Sequence, residues 1–242
     1  MYHGYLTKGH FYGGRQVMLQ ELSFGNDNWI HFKTGSIAKL TQPVPFEGTV
    51  QNPVPDFYDD FAGDTLSVKW SWNYPYSTIK ARFEYNELLL SGSAKKGNDN
   101  GTVLCIRPTS PDYNYDTRVS NSNGSFKGLT MYGDAQNLLA FGNIDDMLII
   151  KIVKDGKEEI LHTGSLPVVS PYLRIEVTNG CKGSFCWSKD GKIWNKMETP
   201  LDLDMSSLVR WDRVARPGLI HIGPSNETAR FSHFNYTNVS AK

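Results

Sequence analysis

The sequence predicts an all-β fold, an antiparallel sandwich or barrel. Three observations carry that expectation. The dipeptides Asp155-Gly156, Asn179-Gly180 and Asp190-Gly191 each divide two strand-like runs, and such pairs supply the positive φ angles that two-residue hairpin turns require. Around them apolar residues alternate. Leu173, Ile175 and Val177 share one face, Arg174, Glu176 and Thr178 the other, and Phe185 with Trp187 resumes the apolar face. No window shows the spacing of an amphipathic helix, and DDMLIIKIV is too β-branched to favour one. Hairpins at this regular spacing build sandwiches and barrels.

Taken in order, the elements begin abruptly. Tyr2 to Leu6 reads as a strand, closed by Lys8-Gly9. Arg15 to Leu22 sets Val17, Leu19 and Glu21 against Gln16, Met18, Gln20 and Leu22, a strand with one largely apolar face. Pro43, Pro45, Pro53 and Pro55 then mark residues 43–57 as an extended linker, because proline removes backbone donors. The strands from Tyr58 onward suffice for a complete sandwich over 58–242. Residues 1–42 do not make a domain, since two or three strands are marginal alone. They dock on the sandwich or belong to a sheet whose remainder is absent.

Composition excludes several classes. The 242 residues carry 25 basic and 25 acidic side chains, so no field draws the chain to nucleic acid or an anionic membrane. No apolar run is long enough for a membrane span. The N-terminus has no signal peptide, so the chain as written carries no export signal; secretion or periplasmic export would belong to a longer parent. Cys105, Cys181 and Cys186 lack a metal-site spacing and read as free thiols, with a Cys181–Cys186 approach across a hairpin as the alternative.

The motifs resemble one family. MYHGY, GGRQVMLQEL and NDNWI are similar to the final blade of the five-bladed β-propeller of family 43 glycoside hydrolases. YDDFAGDTLSVKWSWNY resembles the opening of the sandwich that follows the propeller in xylosidases and arabinofuranosidases. LCIRPTSPDYNYDTRV, GLTMYGDAQN, FCWSKDGKIW and ARPGLIHIG extend the resemblance nearly to the C-terminus. It implies a concanavalin A-like antiparallel β-sandwich (jelly roll) carrying an N-terminal β-hairpin remnant of the propeller. On this reading the chain starts in mid-sheet because the earlier blades are missing.

The resemblance also sets expectations for chemistry. Family members invert the anomeric centre with an acid and a base held roughly 6.5–9.5 Å apart, and these sit on blades that precede everything here. Glu21, Asp27, Asp59 and Asp60 match no catalytic motif, so no catalytic residue is assigned and the chain alone is expected to be inactive. The resemblance implies that His3 corresponds to the propeller histidine near a central calcium and Arg15 to the arginine that approaches the sugar; without the other blades, both read as ordinary surface strand residues. Sandwiches of this type often hold a structural calcium, and DFYDDFAGD offers Asp56, Asp59, Asp60 and Asp64 as oxygen ligands; an acidic, solvated turn is the alternative.

Aromatic residues supply the candidate sugar contacts. Trp70, Trp72, Tyr74 and Tyr76 face one side if their strand is regular, as either a stacking strip or core. Tyr74 and Tyr76, beside Pro75, are expected at the surface, as are Tyr113 and Tyr115 in SPDYNYD, read as a loop. SKDGKIW is similar to the sialidase Asp-box but occurs once, and a turn closed by Asp190 accounts for it. The E-x-D-x-x-E signature of sandwich-fold glucanases is absent.

Two functions follow. One is the accessory sandwich of a family 43-like hydrolase of xylan or arabinan; the other is a free-standing carbohydrate-binding or interaction module. Expected partners are xylan- or arabinan-like glycans and, through the N-terminal strands, a second copy of the chain.

Overall fold

The computed structural model describes residues 2–4, 14–35, 37, 39, 47–48, 55–198, 203–208 and 214–239, with residues 2–4, 16 and 18 described through the backbone alone. Two small hairpins open the chain. β1 (Tyr2–Gly4) pairs with β2 (Gln16–Met18), placing His3 opposite Val17. β3 (Leu22–Phe24) pairs with β4 (Ile30–Phe32). The run expected as one strand over Arg15–Leu22 is thus broken between β2 and β3. Asp27 and the left-handed Asn28 (φ 61°) make the second turn, where Asp27 accepts the Trp29 N–H at 3.0 Å. Asp27 also meets His31 Nε2 at 3.0 Å, and these two bonds, the histidine first, hold its carboxyl below the usual range.

The sandwich begins at β5 (Phe57–Asp59), so Phe57 is strand rather than linker. The linker residues 43–46 and 49–54 lie outside the described residues. There follow β6 (Ser71–Trp72), β7 (Ser77–Glu84), β8 (Glu87–Ala94), β9 (Thr102–Cys105), β10 (Tyr113–Val119), β11 (Phe126–Asp134) and β12 (Asn137–Ile144). β13 (Met147–Lys154), β14 (Lys157–Ser165), β15 (Tyr172–Thr178), β16 (Lys182–Ser188), β17 (Asn195–Lys196), β18 (Leu203–Asp204), β19 (Arg216–Ile222) and β20 (Ala229–Asn238) complete the chain. Among the described residues these strands form two antiparallel sheets. The nine-stranded sheet runs β17-β16-β15-β10-β20-β8-β7, with β18 beside β16 and β5 beside β20; the seven-stranded sheet runs β14-β13-β12-β11-β19-β9-β6.

Local chemistry explains the hairpins. Asp155 and Gly156 (φ 51° and 76°) turn β13 into β14, and Asn179 and Gly180 (55° and 68°) turn β15 into β16, as their sequences require. Asp190-Gly191 makes a different turn, with positive φ at Gly191 alone (72°). Here Asp190 Oδ1 accepts the Lys192 and Ile193 amides and Ser188 Oγ accepts the Gly191 amide. Those backbone bonds hold the Asp190 carboxyl below its usual pKa.

Between the sheets lies one core. Leu88, Leu90, Leu129, Leu139, Phe141, Ile150, Ile175, Phe185 and Leu219 are fully buried there. Trp70 joins Phe57, Phe61 and Phe234, its ring edge-on to Phe234 at 4.9 Å. Strand alternation puts Val103, Phe126, Tyr132, Ala140 and Ile220 in a second cluster on the other face of the seven-stranded sheet. Long side chains roof that cluster: the Lys151 ammonium stands 5.3 Å from the Phe126 ring and the Arg216 guanidinium 5.3 Å from Tyr132.

Two sequence expectations are corrected. Tyr113 and Tyr115 do not lie in an exposed loop; both belong to β10 and are buried in the core. Their inward positions follow from the strand's period of two, in which the even residues Asn114 and Asp116 face out. Trp70, Trp72, Tyr74 and Tyr76 do not share one regular strand either. Only Ser71 and Trp72 are strand, after which the Tyr76 and Ser77 amides both bond the Asn73 carbonyl, at 2.8 and 3.0 Å, and turn the chain. Pro75 lacks the amide a continuing strand would need.

Candidate functional site

Each candidate residue has a definite place. The backbone of His3 is paired in β1, while its side chain lies outside the described residues. Arg15 is exposed just before β2, and its carbonyl accepts a guanidinium N–H of Arg107 at 2.8 Å, which ties the N-terminal segment to the sandwich. Tyr74 and Tyr76 are 71% and 42% exposed. Their turn is held from behind: the Tyr76 carbonyl accepts the Asn98 carboxamide at 2.9 Å and the Tyr74 carbonyl accepts Lys95 Nζ at 2.7 Å. With Trp72, also exposed, they present three aromatic rings within five residues. Tyr113 and Tyr115 offer no face to a ligand; the Tyr115 hydroxyl donates to the Thr130 carbonyl at 3.0 Å inside the core.

The acidic turn after β5 is occupied by the protein itself. Asp59 Oδ1 accepts the Phe61 amide at 3.0 Å and its Oδ2 accepts the Trp70 indole at 2.8 Å. Asp60 Oδ1 accepts the Ala62 amide at 3.1 Å, and Asp56 Oδ1 accepts the Asn238 amide at 2.8 Å. Among the described residues no three histidine, cysteine or carboxylate side chains converge as metal ligands.

The apolar face of the β3–β4 hairpin is open. Leu22 lies opposite Phe32 and Phe24 opposite Ile30, so all four side chains share one face, and all four are exposed. Trp29 and Val17 are also exposed. Single exposed apolar residues are ordinary; here four share one face of a single hairpin.

Sequence reasoning missed a polar cluster on the outer face of the nine-stranded sheet. Register sets Tyr58, Asn235, Asp116 and Arg174 side by side across β5, β20, β10 and β15. The Asp116 carboxylate accepts the Asn235 carboxamide at 3.1 Å and Arg174 Nη2 at 3.3 Å, and His233 Nε2 lies 3.3 Å from its other oxygen. Desolvation raises the Asp116 pKa, but His233, Arg174 and Asn235 outweigh it and leave the carboxyl below its usual range. Tyr58 stacks on His233 at 6.2 Å, Tyr172 tilts against it at 5.9 Å, and Trp194 covers the Arg174 guanidinium at 3.8 Å. No short motif marks this cluster, because its members come from four distant parts of the chain.

Among the described residues, the carboxyls with displaced pKa values, Asp27, Asp116, Asp190 and Asp204, are all displaced downward.

The two stacked antiparallel sheets define a concanavalin A-like β-sandwich module. Residues 58–237 match the beta xylosidase C-terminal concanavalin A-like domain, and the chain belongs to that family. The fold is shared with the GH43 BlXynB protein of Bacillus licheniformis (TM-score 0.74, 19% identity), with 95% of this chain and 48% of that chain covered. It is shared also with xylan beta-1,4-xylosidase from Bacillus halodurans C-125 (TM-score 0.71, 18% identity; 93% and 47% covered). A third neighbour is GH43B of the Bacteroides ovatus xyloglucan PUL (TM-score 0.69, 17% identity; 93% and 48% covered). At these identities the likeness is one of fold, and the chain spans about half the length of each. No curated protein matches the sequence.

Proposed function

We propose that the chain is the accessory C-terminal portion of a family 43-type glycoside hydrolase that breaks down xylan- or arabinan-like polysaccharide. The observation that carries this reading is the reach of the structural likeness. The domain match ends at residue 58 on its N-terminal side, yet 95% of the chain superposes on a glycoside hydrolase, which takes in most of the N-terminal hairpins as well. In this reading β1–β4 are the last propeller blade, and their open face of Leu22, Phe24, Ile30 and Phe32 is the surface that the other blades, or a second copy, cover. Arg15 then lies on the sugar side, and the acid and base come from blades outside these 242 residues.

The experiment is an assay of the purified chain on aryl xylosides and arabinosides. No turnover above buffer is expected. Turnover abolished by replacing a carboxylate of this chain would overturn the reading.

A second reading, a free-standing carbohydrate-binding module, is favoured by the exposed rings of Trp72, Tyr74 and Tyr76 on a rigidly held turn. Flat apolar rings stack on the C–H faces of sugars, at ~0.5–1.5 kcal/mol each beyond area burial.

A further inference from the structure

We propose that the outer face of the nine-stranded sheet is a binding site for a neutral oligosaccharide, laid across β5, β20, β10 and β15 between Tyr58 and Trp194. The inference rests on the carbohydrate reading above and assigns it a site distinct from the Tyr74–Tyr76 turn.

Stability does not explain the cluster. Outer positions of a sandwich sheet are ordinarily filled by solvated side chains, yet Asp116 is only 6% exposed. Burying a carboxylate and its guanidinium partner roughly breaks even against desolvation. A fold gains little by placing them there, whereas a recognition surface gains directional polar groups already held in place.

The chemistry selects the ligand class. Asp116 is already paired with Arg174 inside the row, so its carboxylate is not free to hold a cation. Carboxylate, carboxamide, imidazole and guanidinium are planar groups that donate and accept in one plane, as pairs of sugar hydroxyls require.

Aromatic rings frame the row. Tyr58, 63% exposed, stacks on His233 at one end. Trp194 closes the other end over Arg174. The Asp190-Gly191 turn sets that end, since a Cβ on Gly191 would come within 3.1 Å of the Tyr172 ring. Three strand spacings of about 4.8 Å separate β5 from β15, so the row is about 14 Å long, the scale of a short oligosaccharide.

The test is an NMR titration of the full ¹⁵N-labelled chain with xylohexaose and, separately, arabinohexaose. Saturable shifts are expected at the Trp194 indole N–H and the Asn235 carboxamide. Tyr58→Ala and Trp194→Ala should each weaken binding at least tenfold while the rest of the spectrum stays folded. Unchanged affinity in both variants overturns the site. Shifts confined to Tyr74 and Tyr76 also overturn it and leave the carbohydrate reading standing. No shift at millimolar concentrations of either sugar overturns both.

Discussion

The Trp70 indole N–H donates to Asp59 Oδ2 at 2.8 Å. A carboxylate that the sequence offers to calcium thus closes the polar edge of a buried tryptophan. Removing it leaves the indole N–H and the Phe61 amide short of an acceptor, which costs about 1–3 kcal/mol per group. Asp59→Ala should lower stability by roughly 2–4 kcal/mol in urea unfolding. A chelator should leave the wild-type midpoint where it was; a midpoint that falls with chelator and returns with calcium would reinstate the ion.

Tyr113 and Tyr74 should respond oppositely to truncation. Tyr113 is fully buried, its ring 4.9 Å from that of Tyr236, so Tyr113→Ala opens a core cavity worth about 3–5 kcal/mol. Tyr74→Ala removes an exposed ring and should change stability by less than ~0.5 kcal/mol. Comparable unfolding midpoints for the two variants would contradict the inward placement of β10.

His221 makes stability depend on pH. It is buried opposite Lys127 in the β11–β19 ladder, and its Nε2 has no hydrogen-bond partner. Burial first, then the Lys127 charge, pushes its pKa from 6.5 down to about 4, with Glu227 opposing. Between those values the unfolded chain takes a proton that the folded chain refuses. Stability from this group is therefore complete above pH 6.5 and is lost as pH falls toward 4, by up to about 3 kcal/mol. His221→Gln should flatten that slope in urea titrations at stepped pH. An equal slope in the variant would assign the effect to other groups.

The open β3–β4 face should drive association. Concentration-dependent dimerisation is expected in sedimentation velocity, with Phe24→Ser and Ile30→Ser together raising the dimer Kd at least tenfold. A wild-type chain that stays monomeric at high micromolar concentration would rule out pairing between copies through this face.

What the sequence made legible was local. Asn179-Gly180 and Asp155-Gly156 specify their turns within two residues, and Leu173, Ile175 and Val177 announce their inward face by alternation. The signal for Tyr113 and Tyr115 is also present, as Tyr-x-Tyr-x-Thr-x-Val through Val119, but the turn-forming residues Pro111-Asp112 and Asn114 mask it. The run from Trp70 to Tyr76 kept the right period until Asn73 and Pro75 turned the chain. The Asp116 cluster was illegible for a different reason. Tyr58, Asp116, Arg174 and His233 become neighbours only through the register of the folded sheet, which no short window contains.

β20 has a consequence for how the chain is made. Residues Ala229 to Phe231 pair with β8, Phe234 to Tyr236 pair with β5, and the opposite edge pairs with β10 along nearly its whole length. Until that strand leaves the ribosome, β10 and β8 have no shared neighbour and the nine-stranded sheet stays divided. At about 5–20 residues per second, β5 waits on the order of ten seconds or more for its partner. During that interval two open edges face solvent or a chaperone, and nascent-chain quality control acts on a half-built sheet rather than a fold.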